Sequence, residues 1–173
     1  MDVVKVLYSR EEIAERVRGL ADIISRDYQG KELMLVCVLK GAFVFMADLI
    51  RYISIPCIVD FIRVSSYGSG KVSSGEIIIK KDIETPVKGK DILIIEDIID
   101  TGLTLSLLSD RLKERKPDSL KVCAFLDKRY RREVEFEADY VGFTLTEEGF
   151  VVGYGIDFNE KWRSLPDVCV IEE

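Results

Sequence analysis

The sequence has 173 residues, enough for one domain with a substantial hydrophobic core and too few for two separate cores. It contains 25 basic and 31 acidic residues, and the net charge of −6 argues against nucleic acid or an anionic membrane as the main partner. An anionic substrate would therefore need a local basic site or a metal ion. We expect a single domain that spans residues 1–173.

Histidine is absent from the sequence. This excludes Ser-His-Asp and Cys-His catalysis and the usual zinc ligands, so a general acid or base must be a carboxylate, Lys, Tyr or Cys. The four cysteines lie in apolar runs without a CxxC pair, which favours buried, reduced thiols in a cytoplasmic protein. We expect no signal peptide, and no apolar run reaches the length of a membrane span.

Predicted helices and strands alternate along the chain. Residues 9–12 form a capping-box pattern that opens a helix, and residues 42–52 form a second helix of apolar character. Strands are predicted at residues 33–39, 57–64, 76–80, 91–95, 120–126, 140–143 and 150–152. This alternation predicts an α/β fold with a mainly parallel, twisted sheet flanked by helices.

The stretch 65–75 is rich in glycine and serine and lies between two predicted strands, which predicts a long flexible hairpin loop. Its Gly-Ser-Gly-Lys segment is not a Walker A loop, because Ser65 stands where the first glycine is needed and Val72 follows the lysine. On composition alone, the loop is either a solvated connection or a catalytic lid.

The most informative stretch is 91–105, where a β-branched apolar run ends in acidic residues. Glu96 and Asp97 follow the run, Asp100 comes three residues later, and a helical pattern begins after a Thr-Gly pair. Open α/β sheets bind ligands at such strand ends, and a helix N-terminus favours phosphate. Three carboxylates would repel a phosphate unless a divalent cation or sugar hydroxyls lie between them.

Residues 96–104, EDIIDTGLT, resemble the phosphoribosyl-pyrophosphate (PRPP) motif of type I phosphoribosyltransferases, in the version of the hypoxanthine-guanine enzymes. The alternative is a surface loop with ordinary acidic capping residues. The resemblance implies that the domain carries a small hood and transfers the 5-phosphoribosyl group of PRPP to N9 of hypoxanthine or guanine, in purine salvage. It also implies Mg²⁺ as cofactor and a homodimer or homotetramer.

Roles for the motif residues follow from the same resemblance. The residues expected to contact PRPP and its 5-phosphate are Glu96, Asp97, Asp100, Thr101, Gly102, Leu103 and Thr104. Glu96 and Asp97 would lie near the ribose hydroxyls, and Asp100 would be the general base that takes the N7 proton. Leu103 departs from the pattern, since other members can carry Lys or Gly there.

Pyrophosphate is expected to contact cations from two other loops. Lys40 and Gly41 resemble the family's pyrophosphate loop, and Arg163 resembles its later basic contact. Taken alone, Lys40 would be a solvent-facing residue after a strand. The resemblance also implies that the Leu39–Lys40 peptide bond is cis or strained.

The purine base is expected to contact Lys128, Phe150, Val151 and Asp157. Lys128 would donate to the 6-oxo group and Phe150 would stack on the ring, whereas the alternatives are a solvated lysine and a core aromatic. The neighbouring arginines are interpreted as solvated surface, namely Arg129, Arg131 and Arg132.

The resemblance also implies a metal site and a lid. Asp157 resembles the family's magnesium ligand, and Glu96 and Asp97 are further candidates, since Mg²⁺ is usually held by one or two carboxylates and substrate phosphates. Ser66 and Tyr67 resemble the family's lid dipeptide. We therefore interpret the loop 65–75 as a lid that closes over PRPP and excludes water.

Two other functions are compatible with parts of this pattern. A regulatory protein could use a phosphoribosyltransferase fold to bind RNA, although the net charge and Lys128 argue against it. A response-regulator-like switch also places acids at a strand end for Mg²⁺ and a phosphoryl aspartate, but the Thr-Gly phosphate loop disfavours it.

Overall fold

The computed structural model describes residues 3–66, 77–146 and 148–171. In these ranges the elements are β1 (Val3–Tyr8), α1 (Arg10–Asp27), β2 (Leu33–Leu39), α2 (Phe43–Tyr52), β3 (Cys57–Ser66), β4 (Ile77–Lys81), β5 (Asp91–Ile99), α3 (Leu103–Lys113), β6 (Ser119–Asp127), a 3-10 turn (Arg129–Arg131), β7 (Tyr140–Thr144), β8 (Phe150–Val152) and β9 (Val168–Ile171). The predicted α/β fold is confirmed.

The central sheet has six strands in the order β4-β3-β2-β5-β6-β7. Every neighbouring pair is parallel except β3 and β4, which are antiparallel. The predicted mainly parallel sheet is therefore confirmed. The middle strands β2 and β5 are almost entirely buried, as expected for strands covered on both faces.

Helices cover both faces of this sheet. On one face, alternate residues of β2 pack with α1 and α2, and on the other face the intervening residues pack with α3. α1 begins with the predicted capping box, in which the Glu12 backbone N–H donates to Ser9 Oγ and the Ser9 N–H donates to the Glu12 carboxylate.

A second, three-stranded antiparallel sheet has the order β1-β9-β8. β8 was predicted, whereas β1 and β9 were not assigned as strands. We call this sheet the hood. It places Phe150, the first residue of β8, close to the carboxyl edge of the central sheet.

β5 is longer than predicted and corrects the placement of the acidic pair. The strand was expected to end at Ile95, but its pairing with β6 continues to Ile99. Glu96 and Asp97 therefore lie within the strand and not in the loop that follows. The reason is that β6 is equally long, so the parallel ladder continues past the apolar run.

No helix in the described ranges is long and apolar enough to cross a membrane. All four cysteines are free thiols, as predicted. Three are buried and Cys57 is half-buried.

Candidate active site

The carboxyl ends of the parallel strands meet at one edge of the central sheet. Lys40 follows β2, Asp100 follows β5, and Lys128 follows β6. The backbone N–H of Lys128 donates to the carbonyl of Ile99, which ties the ends of β5 and β6 together. The strand order thus brings together side chains that are distant in sequence.

The predicted PRPP residues surround a cavity of about 230 Å³ at this edge. Those that line it are Glu96, Asp97, Asp100, Thr101, Gly102 and Thr104. Leu103 does not line the cavity, and its backbone N–H donates to Thr101 Oγ1. Gly102 is the N-cap of α3 with φ of 82°, a conformation that suits glycine. The cavity therefore opens onto a helix N-terminus.

Glu96 is buried next to Asp97 and accepts a hydrogen bond from the Asp97 backbone N–H. Burial, together with the neighbouring Asp97 carboxylate, raises the pKa of Glu96 well above its usual value. A raised pKa lowers the negative charge that the pair presents to an incoming phosphate.

Gly41 lies against the carboxylate of Asp97. A Cβ atom at Gly41 would stand 1.7 Å from Asp97 Oδ2, and one at Gly155 would stand 2.5 Å from the Gly41 carbonyl oxygen. The peptide bond between Leu39 and Lys40 is cis, as the family resemblance implied. The turn after β2 is therefore confined between β5 and the loop around Gly155.

Gly41→Ala should lower kcat/KM for PRPP by roughly 10²-fold, because Gly41 is a predicted pyrophosphate contact and displacement of such a group by about 1 Å has effects of this size. The added methyl group must move either the turn or the Asp97 carboxylate. Steady-state kinetics would measure the loss. Gly19→Ala, where the added Cβ has nothing within 4 Å, is the matched control and should retain native kinetics. Native kinetics in Gly41→Ala would contradict the prediction.

The two predicted pyrophosphate contacts are linked by acidic side chains. Lys40 Nζ lies 2.9 Å from both carboxylate oxygens of Glu160. Arg163 Nη2 lies 2.9 Å from Asp157 Oδ1 and 3.3 Å from Glu160 Oε2. The sequence analysis missed Glu160, although its position three residues from both Asp157 and Arg163 could have indicated it.

A second cavity of about 230 Å³ lies between the residues that follow β5 and β6, the 3-10 turn and the start of β8 in the hood. The residues that line it are Asp100, Lys128, Tyr130, Arg131, Glu148, Gly149 and Phe150. The side chain of Phe150 is 47% exposed, so it is not a core aromatic, and its ring meets Phe158 edge-on. Sequence reasoning predicted neither Tyr130 nor Glu148 here.

Lys128 is half-buried and points toward the hood. Its Nζ donates to the Gly149 carbonyl at 3.2 Å. Burial lowers the pKa of Lys128, while the charge of Asp100 opposes this shift. Two predicted purine contacts do not line this cavity: the Val151 side chain is buried in the core, and Asp157 lies with Arg163.

The interpretation of all three arginines after β6 as solvated surface was wrong for one of them. Arg132 is largely buried and pairs with the fully buried carboxylate of Asp127. It also donates to the backbone carbonyl of Asp100 at 2.7 Å and lies against Gly102. The carboxylate of Asp127 at the end of β6 neutralises the charge of this largely buried arginine. Arg132 thus stabilises the phosphate loop through its contacts with Asp100 and Gly102.

Arg132→Met should lower the free energy of unfolding by roughly 3 kcal/mol, since removal of one partner leaves the Asp127 charge buried and poorly paired. Arg129→Met is the matched control, because Arg129 also contacts Asp127 but its side chain is 59% exposed. It should cost about 1 kcal/mol or less. Urea denaturation would measure both, and equal losses would contradict this account.

The carboxylates present fit a magnesium ion that binds together with its substrate. No group of three or more His, Cys, Asp or Glu side chains in the described parts of the chain is arranged to hold a metal by itself. Glu96 and Asp97 adjoin the first cavity, and Asp157 lies beside Arg163. Mg²⁺ commonly takes one or two carboxylates and completes its shell with phosphate oxygens and water.

The predicted lid lies mostly beyond the part of the chain that the structure describes. Ser66 is the last residue of β3, where its backbone pairs with Ile77. Tyr67 and the rest of the predicted loop, to residue 75, fall outside the described residues. The lid therefore stays a prediction from the sequence.

The mainly parallel sheet and the two cavities at its strand ends agree with the resemblance to phosphoribosyltransferases found in residues 96–104. A model of the phosphoribosyl transferase domain family matches residues 4–159, and the chain belongs to this family. It is 49% identical over 172 residues to the hypoxanthine-guanine phosphoribosyltransferase of Streptococcus thermophilus, which covers 99% of this chain and 95% of that protein. The Bacillus subtilis protein of the same name is 48% identical over 171 residues, covering 99% and 94%.

Solved structures show the same similarity. A hypoxanthine phosphoribosyltransferase from Staphylococcus aureus superposes with a TM-score of 0.95 at 43% identity, covering 99% of this chain and 92% of that one. The family resemblance inferred from residues 96–104 is therefore confirmed over nearly the whole chain.

Proposed function

We propose that this chain, as a single domain, transfers the 5-phosphoribosyl group of PRPP to N9 of hypoxanthine or guanine and releases pyrophosphate, which is purine salvage to IMP or GMP. The observation that carries the proposal is the position of Asp100. This residue lines both the phosphate-loop cavity and the cavity that holds Lys128 and Phe150. A sugar phosphate in the first cavity and a planar base in the second would meet beside this residue.

The first cavity would hold the ribose 5-phosphate. Backbone N–H groups at the start of α3 and the hydroxyls of Thr101 and Thr104 would donate to the phosphate oxygens. Glu96 and Asp97 would accept from the ribose hydroxyls. Lys40 and Arg163 would neutralise the leaving pyrophosphate, the charge that must be stabilised as the bond to C1 breaks.

The second cavity would hold the base. Phe150 is exposed toward it and would stack on the purine ring, while the backbone of Val151 would offer polar contacts. Lys128 would exchange its bond with the Gly149 carbonyl for one with the 6-oxo group. Asp100 would accept the N7 proton, since no histidine is present and Asp100 is a carboxylate residue that lines this cavity.

Mg²⁺ would be held by Asp157, Glu96 or Asp97 together with PRPP oxygens. The ion would supply charge neutralisation for the pyrophosphate oxygens. A lid at Ser66 and Tyr67 would then keep water out of the closed site.

We further propose a cytoplasmic homodimer or homotetramer. Exposed apolar side chains on α2 and β3 support self-association, namely Phe43, Ile50, Val59 and Phe61. In one structural relative, the hypoxanthine phosphoribosyltransferase of Trypanosoma cruzi, the C-terminal region has a role in the oligomeric state.

The test is a pyrophosphate-release assay with PRPP, Mg²⁺ and each of four bases: hypoxanthine, guanine, xanthine and adenine. We expect release with hypoxanthine and guanine. Absence of release with both would reject the proposal. A parallel titration with RNA would test the binding-protein alternative, for which we expect no saturable binding.

A further inference from the structure

Glu160 lies between the two cations that the proposed function assigns to pyrophosphate. Lys40 Nζ donates to both of its carboxylate oxygens at 2.9 Å, and Arg163 Nη2 lies 3.3 Å from Oε2. Arg163 is fixed further by a 2.8 Å bond from Nη1 to the Gly155 carbonyl. One carboxylate therefore joins the turn after β2 to a segment 120 residues later in the chain.

The backbone of the turn that carries Glu160 is closely constrained. Asn159 and Glu160 have φ values of 51° and 62°, in the left-handed region that is costly for residues other than glycine. The turn is closed by backbone hydrogen bonds in both directions between Phe158 and Lys161. The Glu160 N–H donates to Asp157 Oδ2 at 2.8 Å. Strained conformations of this kind persist where the surrounding structure determines them.

The Glu160 carboxylate contacts both cations as a bound anion would, but it is not buried. The Glu160 side chain is 65% exposed, compared with 43% for Lys40 and 19% for Arg163. An exposed carboxylate can rotate into solvent at little cost, whereas its charge beside a bound polyanion would be repulsive. Lys40 and Arg163 cannot stay fully paired with Glu160 while they also bind a pyrophosphate.

We propose that Glu160 is a placeholder anion, which pairs with Lys40 and Arg163 and holds them in position while the site is empty. Pyrophosphate displaces Glu160 from both cations when it binds. This competition limits the affinity of the site for pyrophosphate. This inference rests on the proposed function, which makes pyrophosphate a ligand of these two cations. Pyrophosphate must leave after each turnover, so a carboxylate that competes for its cations favours release.

Isothermal titration calorimetry with magnesium pyrophosphate tests the proposal. Glu160→Gln keeps the shape of the side chain and removes its charge, and we expect the Kd of pyrophosphate to fall by roughly three- to tenfold. Glu114→Gln is the matched control, because this exposed glutamate follows α3 at the opposite end of the helix from the phosphate loop. It should leave the Kd unchanged.

A second variant links the effect to Lys40. In a Lys40→Met background, the gain in pyrophosphate binding free energy from Glu160→Gln should be at least halved, because contacting residues are energetically coupled. An equal gain with and without Lys40 would overturn the placeholder role.

The remaining outcomes separate this inference from the proposed function. If the native protein binds no pyrophosphate, the proposed function fails and the inference fails with it. If the native protein binds pyrophosphate but Glu160→Gln binds it equally or more weakly, the placeholder role alone is overturned.

Discussion

Asp100→Asn should lower kcat by roughly 10²- to 10⁴-fold, the usual contribution of a general base, with little change in PRPP affinity. Asparagine keeps the size of the side chain and loses its basicity. The backbone carbonyl of Asp100, which accepts from Arg132, is unaffected by the change. Single-turnover kinetics would report the chemical step, and titration calorimetry would report PRPP binding.

The control for this variant concerns Arg131, whose Nε lies 3.0 Å from Asp100 Oδ1. Arg131→Met removes that ion pair and leaves the carboxylate in place. If Asp100 is the base, Arg131→Met should have a much smaller effect on kcat. Equal losses in the two variants, or a loss confined to PRPP affinity in Asp100→Asn, would make Asp100 a structural residue of the loop.

Lys128 should determine the choice between 6-oxo and 6-amino purines. An ammonium group has three donors and no acceptor, so it can serve the carbonyl oxygen of hypoxanthine or guanine but not the amino group of adenine. Because the Lys128 side chain is half-buried, a mismatched base would leave its charge unpaired. Sites built around such a hydrogen bond reject the wrong analogue by about 10⁴- to 10⁵-fold. Adenine should therefore be a negligible substrate of the native protein.

Lys128→Ala should lower kcat/KM for hypoxanthine and guanine and leave the poor adenine rate much less affected. Arg129→Ala is the matched control, because Arg129 is adjacent and exposed but does not line the base cavity. The measurement is kcat/KM for the three bases in the three proteins. Efficient use of adenine by the native protein would exclude Lys128 as the determinant. Lys128 would also be excluded if Lys128→Ala lowered kcat/KM for all three bases by the same factor.

Periodicity in the sequence predicted most of the central sheet correctly, because its strands are buried on both faces and read as continuous apolar runs. The length of β5 could not be predicted in this way. Its pairing through Glu96 and Asp97 depends on β6, and acidic residues carry no strand signal of their own. β1 and β9 were missed because their pairing joins the two ends of the described chain, and no local sequence pattern indicates such a distant partner.

The candidate site was predictable where one continuous motif carries it and less so where it depends on distant contacts. Residues 96–104 carry the end of β5, the phosphate loop and the start of α3 in one continuous segment. The burial of Arg132, in contrast, depends on the carboxylate of Asp127 and on contact with Gly102. The pairing of Glu160 with Lys40 depends on the packing of two turns that no sequence spacing relates.

The hood and the central sheet are two separate sheets, and the candidate base site is divided between them. Lys128 follows the central sheet, whereas Phe150 belongs to the hood. Substitutions in the hood can therefore reshape the surface that faces the base without rebuilding the loop that holds the sugar phosphate. In evolution or in an engineering experiment, substitutions in the hood can therefore change which base is accepted, while the central sheet continues to bind the phosphoribosyl donor.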